Sequence, residues 1–388
     1  MNLALTGARI ITPFRIIEKG TIVIKGPKIY ELGKISDVVI PSDAEIIDVS
    51  GKMITPGFVD LLVHGGVGSG FSDGEYYHFD KISQYFMRHG TTTMLASLYA
   101  KPEKELLKTI ENLANYIIMH PESNIYGIHM EGPYLNKAFK GAMNENYLWT
   151  PTVESWRKMW EASQGLIKIM TIAPELPGAI EVMRAAAQEG VVLSIGHSMA
   201  TYSEIEVAID NGAAHVTHMF NAMKQLHHRQ PSVALGALLR DELKIELIAD
   251  TYHVHPAVME FLLKVKKASG IILITDSIKP GGMHEGEETE FADQKVKVQG
   301  GKAVLEDGTI AGSSLTLNKA IKNMIEFANA KITESVRMAS LNGAKVLNIE
   351  NRKGILAAGK DADLVVMDSD FNVEMTIMRG KIVYKKEA

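Results

Sequence analysis

Residues 127–136 read GIHMEGPYLN. An apolar run ends in His129, Met130 and Glu131 and then meets Gly132 and Pro133, so a carboxylate stands where a strand gives way to a turn. A buried or half-buried glutamate is expensive unless something positive lies against it. The rest of the chain must supply that partner, and the way this stretch recurs decides the fold.

Seven further apolar runs share its form: MITPGFVDLLVHG (53–65), TTTMLASL (91–98), IKIMTIAPE (167–175), VVLSIGHS (191–198), AHVTHMFN (214–221), IELIADTYHV (245–254) and IILITDS (271–277), with IYGIHMEG (125–132) third in order. Helical patterns fall between them. Examples are KPEKELLKTIENLANYIIM (101–119) and PGAIEVMRAAAQEG (177–190), the latter with Pro177 near its start and Gly190 at its stop. Short apolar runs alternating with helices are the mark of βα units around a parallel sheet. Eight such units across residues 53–350 predict an α/β fold, a (β/α)₈ TIM-type barrel, whose usual size is about 250 residues. An open doubly wound sheet competes with it. That fold usually offers a Gly-rich phosphate turn after its first strand, which GGVGSG at 65–70 resembles only loosely.

Residues 1–52 and 351–388 have another texture, short β-like runs broken by Gly, Pro and Asp. Single cores stop growing near ~250–300 residues, and the chain has 388. The two termini are therefore expected to combine into one small β-sandwich domain beside the barrel.

Composition narrows the function. With 46% hydrophobic and 22% charged residues the chain is that of an ordinary globular protein, and no apolar stretch approaches the ~18–20 residues that cross a bilayer. MNLALTGARI lacks the basic start and long apolar middle of a secretory signal, so cytoplasmic residence is expected. A net charge of -5 without any long Lys/Arg block gives no reason for a nucleic-acid partner and points to a small molecule. There is no cysteine, so any metal must be held by carboxylate and by some of the 13 histidines.

The strand-like runs end on, or are followed by, His64, Glu131, Glu175, His197, His218, His253 and Asp276. A lone strand-end histidine is more often a hydrogen-bonded core or turn residue than a ligand. Seven ionisable groups at equivalent places reverse those odds, because barrel strands deliver their C-terminal ends to one catalytic face. Glu131 is read as a ligand of a divalent cation, with His197 and His218 as nitrogen donors. Two imidazoles and one carboxylate leave open positions on Zn²⁺, as in catalytic sites, and Fe²⁺ accepts similar donors. Such a cation draws the pKa of its water toward ~7. Asp276 can then take that proton and return it to a leaving amine, so the expected reaction is hydrolysis of an amide, or deamination. His129 is read as a hydrogen-bonding residue of the barrel interior, His215 as structural, and Glu175 as a cap for the helix that follows.

PGFVD (56–60), HMEGPYLN (129–136), KGAMN (140–144), GHS (196–198), THMFNAM (217–223), ADTYHV (249–254), ITDS (274–277) and GTIAGSSLT (308–316) together resemble the amidohydrolase superfamily. Within it they resemble most the deacetylases that release acetate from N-acetylglucosamine 6-phosphate. The resemblance spans nearly the whole chain. It implies one tightly bound ion on Glu131, His197 and His218, Asp276 as acid and base, and substrate contacts on Ala142, Asn221, Ala222, Arg229, His253, Ile310, Ala311 and Gly312. It also implies a homodimer in which a neighbour's loop completes the phosphate site. Arg229 lies in the basic segment KQLHHRQPS and could grip a phosphate through two parallel hydrogen bonds. A galactosamine epimer, a purine-type deaminase and a non-catalytic barrel are the alternatives.

The chain departs from the family pattern in two places. Leu62 replaces the first histidine of the usual His-x-His after the first strand, leaving His64 to support a second ion or to touch substrate. Met143, which cannot donate a hydrogen bond, stands where the family usually has a polar residue. Lys168 lies at the start of its strand, too far back to act as the carboxylated lysine of other superfamily members.

Overall fold

The computed structural model describes residues 2–300, 302–306, 308 and 310–387; Thr309 of the 308–316 motif lies outside them. Eight parallel strands form the barrel: β1 Phe58–Val63, β2 Thr91–Tyr99, β3 Ile125–Glu131, β4 Ile167–Ile172, β5 Val192–Ile195, β6 Ala213–Val216, β7 Lys244–Ile248 and β8 Ile271–Ile274. Each pairs with its neighbour in chain order. β8 returns to β1 through Asp276 N–H donating to the Leu62 carbonyl at 2.9 Å and a parallel bridge between Val63 and Ser277, which closes the ring. The closed barrel, not the open sheet, is the fold.

Parallel strands are covered on both faces and so read as continuous apolar runs rather than alternations. β1, β2 and β8 are buried at every position. The helices Glu103–Met119 and Ala179–Gln188 fall inside the segments whose periodicity predicts them. The 53–65 run, continuous in its apolar character, is two strands. Met53–Pro56 pairs with Asn2–Ile11 and Leu364–Met367, and only then does β1 enter the barrel.

That pairing belongs to an eight-stranded sheet drawn from both ends of the chain, with strands from Asn2–Ile11 through Glu45–Asp48 beside Leu364–Met367, Val373–Met378 and Lys381–Lys385. Its core is a separate apolar cluster including Leu5, Ile10, Ile22, Ile54, Leu364 and Ile377. Asp361 binds Lys28 at 2.7 Å and Arg352 at 2.9 Å, joining the two termini.

After β8 the chain makes a three-stranded antiparallel sheet, Glu288–Phe291, Gln294–Gln299 and Lys302–Leu305, before the helix Leu317–Ala328. The eightfold rhythm of the sequence does not announce this insertion. No helix among the described residues is long and apolar enough to cross a membrane.

Candidate metal centre

Glu131 is the last residue of β3, and His64, His197, His218 and Asp276 follow the ends of β1, β5, β6 and β8 within two residues. Their backbones turn sharply there. His197, His218 and Asp276 have φ of 48°, 29° and 49°, a left-handed region that non-glycine residues rarely adopt and that clusters at functional sites. The turn aims each side chain back over the barrel mouth. Gly196 makes room for His197, since a Cβ there would lie 2.7 Å from Thr171 Cγ2 and 2.8 Å from Thr217 Cβ.

Glu131 Oε1 lies 3.2 Å from His197 Nε2 and 2.9 Å from His218 Nε2, and the two imidazole nitrogens are 3.1 Å apart. Glu131 Oε2 lies 3.0 Å from His64 Nε2, which in turn lies 3.5 Å from Asp276 Oδ1. All five residues are buried. Among the described residues, the group of ionisable side chains able to hold a metal ion is Glu131, His197 and His218, with donor atoms within 4.8 Å of one another. His197 Nδ1 engages the Phe139 carbonyl at 2.8 Å, which assigns its proton to Nδ1 and leaves the Nε2 lone pair facing the cluster. An oxygen and two imidazole nitrogens fit Zn²⁺ or Fe²⁺ with open positions.

The electrostatics agree. Burial alone would push the Glu131 carboxyl up, but the imidazoles of His197, His218 and His64 gathered around it hold it well below its ordinary value. Burial pulls the His218 imidazole down, and Glu131 overrides that and raises it to about 9. The Asp276 carboxyl is raised, first by burial and then by the charge of Glu131, which suits a group that must accept a proton and release it again.

Beneath this rim lies a polar layer. His129 Nδ1 meets the Leu61 carbonyl at 2.8 Å and its Nε2 meets Thr171 Oγ1 at 2.8 Å, in the interior role expected of it. Thr171, Thr217 and Ser194 continue the hydroxyl chain. Burial brings His129 down to about 4 and His215 down to about 3, so both are neutral. Two carboxylates of this layer are not singled out by the strand-end pattern. Glu246 on β7 accepts from His218 N–H at 3.3 Å, and Asp60 on β1 accepts from Thr275 Oγ1 at 2.7 Å. An acidic residue inside an otherwise apolar run is the signal that could find either.

The remaining site residues divide. Asn221 Nδ2 donates to the His218 carbonyl at 3.1 Å, and Ala222, with φ of 46°, continues that turn. A Cβ on Gly141 would lie 3.4 Å from His197 Cε1 and 4.0 Å from Ala222 Cβ, so the loop carrying Ala142 passes over the metal ligands. His253 is held by Asp250 through Nδ1 at 2.6 Å. It lines a cavity of about 410 Å³ with Ile310 and Gly312. Ala311 belongs to an apolar cluster with Met143 and Phe291. Ser313 N–H donates to the Asp276 carbonyl at 2.8 Å, so the 310–312 segment runs beside Asp276. Arg229 stands apart on an exposed loop, its backbone N–H on His227 Nδ1. Lys168 ends on the Gly165 carbonyl at 3.0 Å, at the start of β4. Glu175 is not the cap expected of it. It accepts from Asn136, Ser198 and Met199 at 2.9, 2.7 and 2.7 Å, bracing two rim loops, and the following helix starts from Gly178.

A closed eight-stranded barrel with this donor set at its rim defines a class of metal-dependent hydrolases. The model of the amidohydrolase family matches residues 53–383, and the chain belongs to that family. It is 36% identical to the N-acetylglucosamine-6-phosphate deacetylase of Bacillus subtilis (strain 168), covering 100% of this chain and 98% of that one. It is 30% identical to an N-acetylgalactosamine-6-phosphate deacetylase of Escherichia coli O157:H7, over 90% of this chain and 93% of the relative. Among solved structures it superposes with a TM-score of 0.89 and 33% identity on the N-acetylglucosamine-6-phosphate deacetylase of Thermotoga maritima, covering 99% of this chain and 100% of the other.

Proposed function

We propose that the protein hydrolyses the acetamide of N-acetylglucosamine 6-phosphate to glucosamine 6-phosphate and acetate, with one divalent cation on Glu131, His197 and His218. The observation that carries this reading is the convergence of Glu131 Oε1 with two imidazole Nε2 atoms within 3.2 Å, with Asp276 linked to the same carboxylate through His64. A cation held there supplies Lewis acidity toward the acetamide carbonyl and acidifies water. Zn²⁺ is the expected ion, and Fe²⁺ suits the same donors.

The chain's own groups do the rest. Asp276 takes the proton of the attacking water at its carboxylate and delivers it to the departing amine. His253, its Nδ1 fixed by Asp250, presents Nε2 toward the substrate. Ala142, Asn221 and Ala222, together with Ile310, Ala311 and Gly312, contact the substrate. Arg229, on an exposed loop, takes the phosphate, and in this reading a second copy of the chain completes that part of the site in a homodimer. A sugar phosphate carries charge that cannot cross a lipid bilayer unaided, and a cytoplasmic location is the reading in keeping with a substrate retained inside the cell.

Acetate release from the glucosamine and galactosamine epimers, measured side by side, tests the reading. Turnover of the glucosamine compound with a higher kcat/KM supports it; preference for the epimer moves the assignment to the galactosamine substrate, and ammonia release from a purine without acetate from either sugar ends it. Light scattering on the purified protein tests the dimer.

A further inference from the structure

The inserted sheet ends over the metal centre. In its first strand, Glu288–Phe291, Phe291 is the single buried residue, at 6% exposure. The next two residues, Ala292 and Asp293, have φ of 49° and 64°, the geometry of a tight two-residue hairpin turn whose twist suits the flanking strands. Phe291 and Gln294 pair across it. Gln294 Nε2 then donates to the Ala142 carbonyl at 2.5 Å, and the turn packs into an apolar cluster with Tyr99, Met143, Ile278 and Ala311. The insertion is therefore tied to two rim loops.

Phe291 touches the centre through His64. Its ring meets the His64 imidazole edge-on, with centroids 5.7 Å apart and planes at 72°, and Tyr99 closes the triangle at 4.9 Å from Phe291 and 6.0 Å from His64. Both imidazole nitrogens lie near polar groups. Nδ1 lies 3.2 Å from the Ser97 carbonyl, and Nε2 lies 3.0 Å from Glu131 Oε2 and 3.5 Å from Asp276 Oδ1. With Leu62 where a second imidazole would stand, no neighbouring ligand flanks that ring, and the Phe291 and Tyr99 rings add packing to the polar contacts that orient it. Edge contacts of this kind stabilise beyond what buried area alone contributes.

We propose that Phe291, carried by the inserted hairpin and backed by Tyr99, is a positioning residue that holds the His64 imidazole as a bridge between Glu131 and Asp276. The inference rests on the single-ion hydrolase reading above. Phe291 contributes no donor to the Glu131, His197 and His218 set, so it governs turnover without governing metal content. Its contact with the ionisable cluster runs through His64.

A double-mutant cycle between F291A and H64N, with metal content determined for every variant, tests this. F291A is expected to keep about one ion per chain and a KM within about twofold of the parent while kcat falls about tenfold, equivalent to ~1.4 kcal/mol. F291L, which keeps the bulk against the ring, recovers most of kcat. In the H64N background F291A has no further effect, because the ring it positions is gone. Additive losses in the double variant, unchanged kcat in F291A, or loss of the ion would each overturn the proposal. Should F291A not fold, the F291L and F291V pair carries the same cycle. A crystal structure of the variant reads the claim without activity: His64 Nε2 displaced from Glu131 supports it, and an unmoved ring overturns it. A parent enzyme inert toward both sugar phosphates would end the functional reading and leave this structural outcome to decide the inference separately.

Discussion

The Nε2 atoms of His197 and His218 face each other at 3.1 Å, both against Glu131 Oε1. With the His197 proton held at Nδ1 by the Phe139 carbonyl, a lone pair points into the cluster, and two imidazole nitrogens beside a carboxylate oxygen form a potential metal site. E131Q, H197N and H218N should each lower metal content from about one ion per chain toward none, with activity falling alongside. Chelation of the parent should lower Tm and readdition of the ion should restore it, since a ligand that binds only the folded state stabilises it by mass action. Elemental analysis and a thermal melt check both.

Asp276 sits across the site, linked to Glu131 through His64. D276N keeps the shape of the side chain and removes its basicity. It should leave metal content unchanged while kcat falls about 10²–10⁴-fold, the range for loss of a general acid or base. Undiminished turnover would remove Asp276 from its role.

Gly312 has φ of +55°, and a Cβ there would lie 2.5 Å from Ile278 Cγ2 and 3.0 Å from the Asp276 carbonyl. G312A should destabilise the fold by about 1–3 kcal/mol and lower kcat by displacing Asp276. Gly190 is also left-handed, at +78°, but a Cβ there would have nothing within 4 Å. G190A should therefore cost about 1 kcal/mol of stability with kcat unchanged, as denaturant titration and steady-state rates will read.

His129 is buried and neutral, its imidazole brought down to about 4 by desolvation. The unfolded chain binds this proton below about pH 6.5, whereas the folded chain binds it only near pH 4. Stability from this residue is therefore present above about pH 6.5 and is lost as pH falls toward 4, by on the order of 3 kcal/mol. H129Q keeps one donor and one acceptor without titrating. Its unfolding free energy should have a correspondingly shallower slope across that interval in denaturant titrations at stepped pH.

Much of this architecture is legible in the order of residues. The eight apolar runs correspond to the eight barrel strands with ends shifted by a few positions, and the residues at or after their ends include every member of the metal cluster. Burial on both faces explains this: a strand covered on each side must be apolar throughout, so the first polar residue marks where it leaves the sheet. Met53–Pro56 runs on into β1 in the sequence because both are apolar, and only pairing assigns them to different sheets. Local spacing allows Glu175 as a helix cap, but its partners Asn136 and Ser198 lie on other rim loops.

Residue type and period determined the barrel, its rim and the donors of the metal seat, because those are local properties repeated eight times along the chain. Tertiary structure alone decided which groups meet. Glu131 and His218 are 87 positions apart, and Asp60 and Thr275 are 215 apart, so their contacts follow from ring closure rather than from any short pattern. The same closure places Phe291 against His64. An aromatic ring at the end of a short, otherwise polar strand acquires a role only when the fold brings that strand over the active site.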